Sequence, residues 1–202
     1  MWSEIEAKIS EFDLGQITEE RKSELEVLIN YVVDKRRSQE PVNLNFICTH
    51  NSRRSQFSQI WATVAAFYNG INVNCFSGGV EVTEFNLSAV QSLERFGFEI
   101  KHASGSNPIY KVTFAEGQSI DCFSKLFNHS TSPNENFATI MTCSSADENC
   151  PFIPGAEKRI SMRYEDPKEF DGTPEESEQY DLRSTQIATE LFYVFSRVKL
   201  VS

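Results

Sequence analysis

The chain has 202 residues, 40% of them hydrophobic, 12% aromatic and 24% charged, a composition that supports one ordinary globular core and excludes disorder and low complexity. Twenty-nine Asp and Glu against nineteen Lys and Arg give a formal net charge of −10, which disfavours a broad contact with nucleic acid or an anionic membrane but leaves room for a small basic pocket. No apolar run approaches the roughly 20 residues of a membrane span, and Met1-Trp2-Ser3-Glu4 does not open a signal peptide, so a soluble, cytoplasmic chain is expected.

In chain order, Trp2, Ile5, Ile9 and Phe12 recur at helical spacing, as do Leu25, Leu28, Ile29, Val32 and Val33. Thr18 is the expected N-cap of the second helix, and Lys35-Arg36-Arg37 places cations at its C-terminal end. Residues 1–40 therefore read as a helical extension, 38–42 as a linker and 43–202 as the main domain. There the pattern becomes alternating strands and helices, which argues for an α/β domain with a mostly parallel sheet. Strands are expected at 43–47, 73–77 and 137–142, with Gly78-Gly79 as a turn. Helices are expected at 55–69, with Phe57, Ile60, Trp61, Val64, Ala65 and Tyr68 inward, at 86–96, and from about Pro174 through Val198. Between Pro108 and Phe127, alternation broken at Ala115-Glu116-Gly117 predicts an inserted β-hairpin.

Five cysteines, an odd number in a chain long enough to fold without staples, argue against a disulfide framework. Cys48 begins the run Cys48-Thr49-His50-Asn51-Ser52-Arg53-Arg54-Ser55-Gln56, between a predicted strand and a predicted helix. Backbone N–H groups of such a loop converge on one point, and the helix dipole favours an oxyanion there. The same field stabilises a thiolate, which makes Cys48 a candidate nucleophile. Arg54 offers a planar fork for two oxygens, and Ser55 a hydrogen bond to the sulfur. The Cys-x5-Arg spacing alone is weak; its strand-loop-helix context raises it. Cys143 and Cys150 flank a polar segment, suited to a disulfide that forms and breaks. Neither His102 nor His129 is spaced with these cysteines as a zinc ligand, so no metal site is expected. Cys75 and Cys122 are assigned to packing.

The loop, together with Phe76-Ser77-Gly78-Gly79, Glu81, Asn86 and the run from Thr142 to Pro167, resembles the low-molecular-weight protein tyrosine phosphatase superfamily and, within it, the thioredoxin-coupled arsenate reductases. The resemblance covers roughly residues 43–200. It implies a three-layer domain with a four-stranded parallel sheet flanked by helices, and an oxyanion seated on Thr49, His50, Asn51, Ser52, Arg53, Arg54 and Ser55. It further implies that Asn51 and Ser77 steady the loop, as they do in members where they also belong to a monovalent-cation site. Asp166, just before Pro167, takes the place of a general acid. Cys48, Cys143 and Cys150 take the places of a thiol relay that turns arsenate into arsenite and is recycled by thioredoxin, with no other cofactor. His50 and Arg53 depart from the family pattern, which implies a loop backbone more restricted at 50 and a more cationic pocket. Two other functions fit the same residues. One is a phosphatase of phosphotyrosine or small phosphate esters, using only Cys48, Arg54 and Asp166. The other is a non-catalytic oxyanion sensor, in which the helices and hairpin serve a partner.

Overall fold

The computed structural model describes residues 1–149 and 152–201. Helices α1 (Ser3–Ser10) and α2 (Glu19–Arg37) lead into β1 (Asn43–Cys48), α3 (Arg54–Asn69), β2 (Asn74–Gly79) and α4 (Leu87–Arg95). Strands β3 (Glu99–His102), β4 (Tyr110–Ala115) and β5 (Gln118–Cys122) follow, then β6 (Phe137–Met141), α5 (Ser144–Asn149), β7 (Ala156–Ser161) and α6 (Glu176–Val201).

The central sheet is parallel, in the order β2-β1-β6-β7, so the chain leaves β1 to one side and returns on the other. Loops at the carboxyl ends of β1 and β6 therefore meet at the point where strand order reverses, which is where open α/β sheets bind ligands. Side-chain alternation divides the faces. Leu44, Phe46, Ala138 and Ile140 join the large core with α2, α3 and α6, whereas Ile47, Phe137 and Met141 join a smaller cluster with Cys143, Ala146 and Ile153. The result is a four-stranded parallel sheet flanked by helices.

The N-terminal helices share the large core. Ile5, Ile9, Leu25, Leu28 and Val32 are buried in it, and Phe12 meets the rings of Trp61 and Phe192 edge-on at 5.9 and 5.6 Å. Thr18 caps α2 by accepting from the Arg21 N–H, and acids and bases stand at the ends the helix dipole favours.

Three sequence expectations need correcting, and one strand was not expected at all. Gly78 and Gly79 lie within β2, not in a turn. A Cβ on Gly78 would come within 2.3 Å of the Phe127 Cα, and one on Gly79 within 2.8 Å of the Asn51 nitrogen, so both are demanded by close backbone packing. Tyr68 is exposed and packs only its ring edge on Phe192. The inserted hairpin is a three-stranded antiparallel sheet, because Glu99–His102 pairs with β4. Strand β7 was not anticipated from the pattern; it is an edge strand whose Glu157, Lys158 and Arg159 disguise it.

Candidate active site

The loop from Cys48 to Arg54 has its carbonyls turned outward and occupied. Thr49 O accepts from the N–H groups of Val80 and Glu81 (2.8 and 2.9 Å), His50 O from Ser124 Oγ (2.8 Å), Asn51 O from Gln56 Nε2 (3.0 Å) and Ser52 O from the Asn86 N–H (3.0 Å). Among the described residues, no protein acceptor meets the N–H groups of residues 49–53, and no side chain caps α3. These donors together with the helix terminus form a nest for a tetrahedral anion. The loop bends at Asn51, whose φ is 50°; His50 is not in the left-handed region, so the expected restriction at 50 does not arise.

Cys48 is buried, and a directed chain of hydrogen bonds ends at its sulfur. The Lys125 N–H donates to Asn51 Oδ1 (3.0 Å), and Asn51 Nδ2 donates to Ser55 Oγ (2.8 Å). That leaves the Ser55 proton free for Cys48 Sγ at 3.1 Å, a donor positioned to stabilise a thiolate.

Arg54 and Asp166 come together across 112 residues, with Nη2 to Oδ2 at 2.5 Å, while Arg54 Nη1 donates to Tyr164 O at 3.1 Å. Segment 162–164 is fixed to the end of β6 by N–H donors from Met162 and Tyr164 to Met141 and Thr142. Arg54 Nε is buried without a partner, a donor that an anion would satisfy. The Arg53 guanidinium, expected to make the pocket more cationic, faces elsewhere: it donates to Tyr180 Oη (2.6 Å) and pairs with Asp171 (3.0 Å), which offsets its charge. Only the backbone of Arg53 is left to serve the loop. His50 Nε2 lies 3.3 Å from the Glu81 carboxylate, and Ser52 Oγ donates to Glu84 O, so neither side chain reaches the thiol.

Cys143 follows β6 and is buried in the cluster that contains Cys48. Its sulfur is 3.5 Å from Thr49 Oγ1 and accepts the Ala146 N–H at the start of α5. Thr142 binds the Ile47 carbonyl through both its N–H and its hydroxyl, so the ends of β1 and β6 are tied one residue before each cysteine. Cys150 lies outside the described residues. Cys122 is fully buried, which pushes its thiol up to about 12 and leaves it protonated, while Cys75 is partly buried against the large core.

Asn51 and Ser77, the residues connected by resemblance with a monovalent cation, do not fit one here. Asn51 Oδ1 is taken by the Lys125 N–H, and Ser77 Oγ donates to Gln59 Oε1 (2.6 Å) while facing the Lys125 ammonium at 3.4 Å. The set contains no carboxylate, and among the described residues no group of three or more His, Cys, Asp or Glu side chains could hold a metal ion. Lys125, Ser124 and Gln59 were missed as site residues. Nothing in Phe123-Ser124-Lys125 marks the lysine as buried, since the segment reads as the continuation of a surface hairpin.

The four-stranded parallel sheet, with the Cys48-to-Arg54 loop between its first strand and its central helix, defines a class by fold: the chain has the fold of solved low-molecular-weight protein tyrosine phosphatases. Within that class its sequence is similar to arsenate reductases. It is 29% identical over 122 residues to arsenate reductase 2 of Staphylococcus haemolyticus and 28% identical over 122 residues to the arsenate reductase of Staphylococcus aureus, covering 60% of this chain and 76% of each relative. No protein-family model matches the chain. Among solved structures, a YwlE mutant from Bacillus subtilis superposes with a TM-score of 0.54 at 15% identity, over 78% of this chain and 99% of that one. An arsenate reductase in its oxidized state superposes with a TM-score of 0.50 at 18% identity, over 77% and 98%. At such identities the structural likeness is one of fold. Among the described residues, no helix is long and apolar enough to cross a membrane.

Proposed function

We propose that the protein is an arsenate reductase working by a three-cysteine relay and recycled by thioredoxin. Arsenate enters the nest of N–H groups, and its oxygens compete with Asp166 for the Arg54 fork. The Cys48 thiolate, held by Ser55, attacks arsenic. Asp166, released from Arg54, is then beside the departing oxygen and protonates it as water. The Cys143 thiolate next attacks Cys48 Sγ. The Cys48–Cys143 disulfide forms, the S–As bond breaks, and its electron pair stays on arsenic, which leaves as arsenite. Cys150 attacks Cys143 and frees Cys48, and thioredoxin reduces the Cys143–Cys150 disulfide.

The observation that carries this reading is the position of Cys143: a buried thiol, in one cluster with Cys48, whose sulfur touches Thr49 of the anion loop. Hydrolysis of a phosphate ester has no use for it. The test is arsenate turnover coupled to thioredoxin, thioredoxin reductase and NADPH, on the wild type and Cys143→Ser, beside an aryl phosphate assay. The relay predicts turnover that Cys143→Ser abolishes, with any aryl phosphate hydrolysis retained. Brisk ester hydrolysis indifferent to Cys143, with no arsenate turnover, identifies a phosphatase instead.

A further inference from the structure

Lys125 is 4% exposed, yet none of the ion pairs among the described residues includes it. Its Nζ donates to Phe123 O and Ser77 Oγ, both at 3.4 Å, and stands 4.7 Å from the centroid of the Phe123 ring. These are two long contacts to neutral acceptors and one to a π face, and burial holds the ammonium below the usual lysine range. Buried ammonium groups elsewhere are held by carboxylates, because desolvation otherwise disfavours the charge. Packing does not call for a charge here, since a methionine has nearly the same reach.

The surroundings tie this cation to the anion loop. The Lys125 N–H holds Asn51 Oδ1, its carbonyl accepts from the Gly79 N–H (2.8 Å), and the neighbouring Ser124 Oγ holds His50 O. Through Ser77 and the Gln56 and Gln59 amides, the ammonium reaches the first turns of α3 from behind. We infer that the Lys125 ammonium is a built-in cation for the loop, a positioning residue whose charge balances the bound oxyanion and makes the site independent of dissolved monovalent cations. A tethered charge is present at any salt composition, whereas a bound ion contributes only in proportion to its occupancy. The inference rests on the reading of residues 48–54 as an oxyanion site, and it holds for reductase and phosphatase alike.

The probe is inorganic phosphate, its affinity measured by calorimetry in potassium chloride and in tetramethylammonium chloride of equal ionic strength. The wild type is expected to bind phosphate equally in both. Lys125→Met, which keeps the volume and removes the charge, is expected to weaken phosphate about tenfold. Lys125→Ala, which opens a space, is expected to regain part of the loss with potassium or methylammonium and none with tetramethylammonium, a pattern that loss of packing does not produce. Wild-type affinity that rises with potassium overturns the inference without needing any variant. Unchanged affinity in a folded Lys125→Met protein overturns it too. A wild type that binds no phosphate in either salt removes the oxyanion reading itself, and this inference with it.

Discussion

On the proposed function, Arg54 and Asp166 form a pair that the substrate must open. A carboxylate 2.5 Å from the guanidinium occupies donors that an oxyanion also needs, so the free protein carries its own competitor. Asp166→Asn is therefore expected to bind phosphate severalfold more tightly while turnover falls about 100-fold, because the amide neither pairs with Arg54 as strongly nor delivers a proton. Phosphate titration beside steady-state kinetics separates the two effects, and a parallel loss of both would show that Asp166 only shapes the pocket. The candidate nucleophile and the fork were legible from order along the chain, since a strand, a Cys-to-Arg loop and a helix leave few ways to be arranged, whereas the aspartate was reached only through the family resemblance, because an Asp-Pro step by itself marks no more than a turn. The direction of Arg53 was not legible: its fate depends on Tyr180 and Asp171, more than a hundred residues away.

One carboxylate holds the short helix that follows Cys143. Asp147 in α5 accepts from Arg159 Nε and Nη2, from Ser161 Oγ and from both Arg163 Nε and Nη2, joining the helix to β7 and the segment after it. Burial alone would raise this carboxyl, but the hydrogen bonds from Ser161, Arg163 and Arg159 outweigh it and hold it below the usual carboxylate range. A depressed native value means that its stabilisation is complete above about pH 4, the unfolded value, and is lost as pH falls through the lower native one. Asp147→Asn should cost about 2 kcal/mol in urea unfolding at pH 7 and progressively less below pH 4; an equal cost at both would assign the effect to packing. The same ties explain why β7 escaped the pattern. Its charged side chains serve as anchors for a neighbour, so alternation of apolar residues, the usual mark of a strand, is reduced to Ile160. Strand β3 escaped for a related reason, having one half-buried side chain in four. Helices α2, α3 and α6 were readable because each buries a continuous stripe.

At the scale of the whole molecule, the first forty residues are distinct in composition but not in packing. Leu28 is fully buried in the core that also contains Trp61 and Leu191, so Leu28→Ala is expected to cost about 3 kcal/mol of global stability. Thermal and urea unfolding would check it; a loss confined to the N-terminal helices, with the signal of Trp61 unchanged, would mark them as a separate unit. The inserted sheet is likewise joined to the Cys48-to-Arg54 loop. The strap that follows it, residues 123–127, supplies Ser124 and Lys125 to the loop and bridges Gly79 through its Lys125 and Phe127 backbone. That joining also sets an order in time. Residues 48–54 leave the ribosome some seventy positions ahead of the strap that holds Asn51 and His50 in place. A growing chain thus displays the proposed nucleophile before the frame around it has been synthesised, and on that reading chemical competence arrives as a late event of biogenesis.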